Sequence, residues 1–79
     1  MVIFELKTEV PLEAAPALEE LLAEREEQRL MVLEDKPSAR AWLTGYFESR
    51  AAATAAWQDL AGATDAPWSK VEPVVRELP

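Results

Sequence analysis

The 79-residue chain contains neither cysteine nor histidine. Without cysteine there is no disulfide framework and no thiolate metal site. Without histidine the commonest general base and the commonest metal ligand are both missing. Glycine occurs only as the isolated Gly45 and Gly62. A phosphate-cradling loop, a dinucleotide fingerprint and a glycine-rich S-adenosylmethionine pocket all need more glycine than that. Apolar runs are short, Leu30–Leu33 being typical, so neither a membrane span nor a signal-peptide core is expected. Glu5 breaks the first apolar stretch, which argues against export and for a cytoplasmic location. Positive charge is scarce, with eight Lys and Arg against fifteen Asp and Glu and a net charge of −7. A chain this acidic repels nucleic-acid backbones and anionic membranes and is drawn to basic surfaces. The expected partner is therefore a basic protein, with no nucleic acid and no membrane, although the same charge also serves plain solubility.

What remains is globular in composition, with 49% apolar residues, three Trp, two Phe and one Tyr. That is enough large apolar area for one small domain spanning 1–79. Residues 2–10 alternate, with Val2, Phe4 and Leu6 on one face and Glu5, Lys7 and Glu9 on the other. Such a period of two marks a half-buried strand. From 11 to 27 the period becomes helical. Ala14, Leu18, Leu21 and Leu22 form the stripe, and Pro16 is tolerated in the first turn. Residues 29–34 read as a second strand and Asp35–Ser38 as a turn. Residues 40–48 alternate again, completing a hairpin. Ser49 is an N-cap for a helix over Arg50–Ala61, striped by Ala53, Ala56, Trp57 and Leu60, with Gly62 as its C′ residue. Residues 68–78 read as a last strand. Pro73 in it cannot donate to a ladder, which confines the strand to a sheet edge.

The order strand, helix, strand, strand, helix, strand predicts an α+β, ferredoxin-like βαββαβ fold. Its antiparallel sheet takes the order 4-1-3-2, with both helices on one face. The other face is left open. If Leu43 and Phe47 face the helices, then Trp42, Thr44 and Tyr46 face the open side. A register shifted by one residue would instead bury Trp42. The spacing of Leu43 and Phe47 favours the first arrangement, with Trp42, Thr44, Tyr46, Glu5 and Lys7 as a partner-binding surface.

Catalytic chemistry finds little support. Ser38, Ser49 and Ser69 have no histidine to activate them, and Ser69 and Lys70 are adjacent in an expected strand, pointing apart. Glu19–Glu20, Glu26–Glu27 and Glu34–Asp35 read as solvated faces and turns. An acylphosphatase-type site would need an Arg in the first loop and an Asn on the sheet, and the chain has no Asn. Arg40, Trp42, Gly45, Tyr46 and Phe47 are loosely similar to an RNA-binding strand, but the acidity opposes it. No catalytic residue, metal ligand or cofactor is expected in this chain.

The whole chain resembles the N-terminal domain of ribosomal protein L-eleven methyltransferases. The likeness rests on the opening strand Val2–Leu6, the strand ending in Gly45-Tyr46-Phe47 before a helix, and the closing segment Trp68–Pro79. It implies an excised substrate-recognition domain that is itself non-catalytic and holds a basic protein such as a ribosomal protein. In the parent protein, the resemblance implies, a separate domain binds S-adenosylmethionine. The alternative is a free-standing ACT-like dimerisation or regulatory module. The two differ in expected assembly, the first being a monomer or weak homodimer.

Overall fold

The computed structural model describes residues 2–79. The elements are β1 (Ile3–Pro11), a 3-10 turn (Leu12–Ala14), α1 (Ala15–Glu24), β2 (Leu30–Asp35), β3 (Arg40–Phe47), α2 (Arg50–Ala61), a second 3-10 turn (Pro67–Lys70) and β4 (Val74–Leu78). The four antiparallel strands lie in the order β2-β3-β1-β4, which is the expected order read from the opposite edge. The fold is α+β and ferredoxin-like in arrangement.

Register fixes the faces. β1 pairs with β3 from Phe4↔Phe47 to Pro11↔Arg40, so Leu6, Thr8 and Val10 share a side with Gly45, Leu43 and Ala41. All six are buried, and the core continues through Leu18, Leu22, Trp57, Leu60 and Trp68. Leu6, Leu18, Leu43 and Leu60 are the largest side chains wholly removed from solvent. Each contributes roughly 1.5–3 kcal/mol of burial.

α2 follows from its sequence closely. The Ser49 Oγ accepts the Ala52 N–H at 3.0 Å, which satisfies one of the free donors of the first turn. Ala53, Ala56, Trp57 and Leu60 are all buried, on one helical stripe. Gly62 departs from expectation. Its backbone is right-handed, with φ −71°, and its N–H donates to the Gln58 carbonyl at 3.0 Å. No left-handed conformation is needed there.

α1 starts where proline allows, with Pro16 in its first turn. Its inward residues are Ala15, Leu18 and Leu22, with Ala14 and Leu21 partly buried beside them. The periodicity predicts helix to residue 27, but the structure ends it at Glu24. The stop is a left-handed Glu26 (φ 54°). The Glu27 N–H donates to Leu22 O at 3.0 Å and the Glu26 N–H to Ala23 O at 3.1 Å. This is a Schellman closure with glutamate at the position usually held by glycine, so no glycine marks the boundary in the sequence.

The last strand is shorter than expected. Residues 67–70 form a 3-10 turn and pairing begins at Val74. Trp68 is buried edge-on against Trp57, with ring centroids 6.0 Å apart. The Ser69 Oγ closes the turn by donating to Ala66 O at 2.6 Å. Burying the indole competes with extending the strand, and Pro73 supplies no N–H to extend it. β4 does lie at an edge.

Candidate functional site

The helices cover one face of the sheet and leave the other open. Alternation places Ile3, Glu5, Lys7 and Glu9 of β1 on the open face, with Trp42, Thr44 and Tyr46 of β3. The same rule adds Met31 and Leu33 of β2, and Val74 and Arg76 of β4. Ile3, Met31, Leu33, Tyr46 and Val74 are five of the seven large apolar or aromatic residues found exposed among the described residues. Apolar exposure is thus concentrated on one surface, as at an interface, not scattered.

The five residues expected here differ in accessibility. Tyr46 is 51% exposed, Lys7 is exposed, and Trp42 is half-buried. Thr44 faces the open side but is only 3% exposed. It lies between Trp42 and Tyr46 along β3, with Lys7 and Met31 as its cross-strand neighbours. It lies beneath the exposed side chains of this face. Glu5 is also largely covered, its side chain 13% exposed. It accepts from Arg76 Nε at 2.8 Å and from the Tyr46 hydroxyl at 3.4 Å.

A second polar cluster surrounds Trp42. The Lys7 ammonium lies 5.5 Å from the centre of the Trp42 ring, and the Arg40 guanidinium 5.0 Å from it. Both are within cation–π range. Arg40 also donates to both oxygens of Glu9, at 3.1 and 2.8 Å. This fork holds the Glu9 carboxyl below the usual carboxylate range. Beside these groups lies a shallow cleft of about 420 Å³, lined in part by Lys7, Glu9, Trp42, Glu72, Val74 and Arg76.

Charge is distributed unevenly. With Asp35 and Arg40 at its end and Glu72 in its cleft, the open face carries Glu5, Glu9, Asp35 and Glu72 against Lys7, Arg40 and Arg76, and is close to neutral. Most of the chain's net −7 therefore resides elsewhere. Residues 12–27 alone hold six glutamates against Arg25. The acidic surface lies with α1 on the helical layer, and the apolar surface lies on the sheet.

No family model, curated protein or solved structure matches the chain. Among the described residues no group of three or more Asp and Glu is placed to hold a metal ion. Among the described residues no helix is long and apolar enough to cross a membrane. The open face holds fixed ion pairs, an indole and apolar side chains. Met31, Leu33, Val74 and Arg76 were absent from the expected site. The alternation Met31, Leu33 is present in the sequence, but which way it faces depends on pairing with β3.

Proposed function

We propose that this chain is a non-catalytic protein-recognition domain whose contact surface is the open face of the sheet. The observation that carries this reading is the collection of Ile3, Met31, Leu33, Tyr46 and Val74 on one nearly neutral face of an otherwise acidic chain. Desolvating a nearly neutral face whose Glu5 and Glu9 are already paired with Arg76 and Arg40 is less unfavourable than desolvating free carboxylates. Aromatic anchors at the centre of such a patch dominate binding energy, and Trp42 and Tyr46 sit on β3, one of the two inner strands. The likeness to the recognition domain of ribosomal protein L-eleven methyltransferases supports the same use and supplies a partner class, a basic ribosomal protein in the cytoplasm. The acidic helical layer would steer that partner by long-range attraction, raising its encounter rate, while the sheet face supplies the contact energy.

The test is calorimetric titration of the chain with purified ribosomal protein L-eleven. Binding that strengthens at low salt is expected, since steering is screened at about 10 Å in 0.1 M salt. The double variant Trp42→Ala/Tyr46→Ala should bind at least about tenfold more weakly, about 1.4 kcal/mol. Unchanged affinity in a folded double variant would remove the sheet face from the reading. Absence of binding by the parent chain would remove the partner.

A further inference from the structure

The helical layer carries a groove of its own. It holds about 300 Å³ between α1 and the second 3-10 turn. Ala17, Leu18 and Leu21 form one wall, and Ala66, Pro67 and Trp68 the other. The second wall is fixed in place. The Thr64 hydroxyl oxygen accepts the Ala66 N–H at 3.2 Å, the Ser69 hydroxyl donates to the Ala66 carbonyl at 2.6 Å, and Trp68 packs edge-on against Trp57. Both polar groups of Ala66 are thereby satisfied within the chain, so this wall presents apolar surface. A wall ordered in advance loses little freedom when a guest arrives. The rim has a different character. Glu13 lines the groove, and Asp65 lies between the lining residues Thr64 and Ala66. Glu20 and Glu24 follow Ala17 by three and seven residues, on its side of α1. All four are exposed, and none joins an ion pair among the described residues. Among those residues no lysine or arginine lines the groove. The arginines are engaged elsewhere: Arg25 on Asp59, Arg29 on Glu27, Arg40 on Glu9, Arg76 on Glu5 and Arg50 on the Val75 carbonyl.

We propose that this groove seats a large apolar side chain of a basic protein segment, one in which lysines or arginines flank the seated residue. The walls favour removal of an apolar side chain from water. The groove is at the small end of ligand pockets, so it takes a side chain and not a folded domain. The carboxylates select the flanks. A lysine next to the seated residue comes within the screening length, about 10 Å in 0.1 M salt, of Glu13. The same rim turns other guests away. A second copy of this chain brings a net −7 of its own, and a lipid or nucleic-acid surface brings phosphates, so each is repelled. The contact lies on the helical side of the sheet, away from Trp42 and Tyr46. It adds a second site to the chain and does not depend on recognition by the open face.

The test titrates the chain with a capped peptide that has phenylalanine and leucine at its centre and a pair of lysines on each side, followed by NMR chemical shifts. Shifts should move at Ala17, Leu21 and Ala66 and at the Trp68 indole N–H, with a dissociation constant of about 0.1 mM. Alanine in place of both central residues of the peptide should weaken binding by about tenfold or more. Glu20→Lys/Glu24→Lys, at exposed helical positions, should weaken it as much. Ala17→Trp, which fills the groove from an exposed position, should abolish it. Trp42→Ala/Tyr46→Ala should leave it unchanged, which separates the groove from the sheet face. No movement of the groove signals at about 1 mM peptide overturns the proposal. So does equal binding by the alanine peptide or by the charge-reversed chain, or a set of shifts confined to the Trp42 face. Groove shifts that follow the concentration of the chain alone, without peptide, would assign the groove to a second copy and overturn it too.

Discussion

Replacing Glu26 by glycine should stabilise this protein by about 1 kcal/mol. Glu26 holds φ 54° at the end of α1. A side-chain-bearing residue in that region is disfavoured by about 1–2 kcal/mol, which glycine does not suffer. The Glu26 carboxylate also stands at the negative end of the helix, unfavourable by about 0.3–1 kcal/mol, and it is lost too. Glycine's greater freedom in the unfolded chain returns roughly 0.5–1 kcal/mol. The remainder is a gain near 1 kcal/mol, which for a domain of this size raises Tm by about 4–8 °C. Urea unfolding followed by tryptophan fluorescence, with thermal circular dichroism, measures it. Glu26→Gln separates the contributions, because it removes the charge and keeps the backbone conformation, and its gain should be smaller. A glycine variant no more stable than the parent would refute the reasoning. A glutamine variant equal to it would assign the whole effect to charge.

Three further outcomes follow from the same geometry. Gly45→Ala should destabilise by about 1–3 kcal/mol or more, because its Cβ would lie 2.5 Å from the Arg29 carbonyl oxygen and 2.6 Å from Leu30 Cδ2. Gly62→Ala, in right-handed backbone, should change stability much less, and equal losses at the two sites in denaturant titrations would count against this. Ser49→Ala should weaken the fold by about 1 kcal/mol through loss of the α2 cap, and a midpoint unchanged in urea would show the cap to be idle. Glu9, Glu27 and Asp59 are held below their ordinary carboxyl range by hydrogen bonds from Arg40, Arg29 and Arg25. Depressed folded values mean that their stabilisation is complete above the unfolded values, about 4, and is lost as pH falls through the folded ones. Stability should therefore hold down to about pH 5 and decline in more acid solution, whereas a rise between those limits would contradict the assignment.

Much of the fold was legible because its signals are local. A change from period two to helical period located β1 and α1, and Ser49 located the start of α2 within one residue. Leu43 and Phe47 indicated which face of β3 is buried, and Trp42, Thr44 and Tyr46 did fall on the open side. Boundaries failed where a local rule was overridden. Glutamate replaced glycine at the end of α1, and burial of Trp68 against Trp57 displaced the first half of the last strand.

The candidate surface was only half legible. Tyr46, Trp42 and Lys7 could be placed from alternation, but the covering of Thr44 and Glu5 could not. Glu5 is closed off by Arg76, 71 positions away in the chain, and by Tyr46. Met31 and Leu33 join the surface only because β2 pairs with β3 in the register Met31↔Thr44.

By itself the sequence determined the order of elements, their inward faces and the edge position of the strand that follows Pro73, because hydrophobic period and proline geometry act over a few residues. Only the tertiary structure decided that most of the acid lies on the helical layer while the sheet face is nearly neutral, and that Arg50 reaches the Val75 carbonyl of β4. Those properties depend on which distant strands become neighbours. Strand order and register set that, and no local period encodes them.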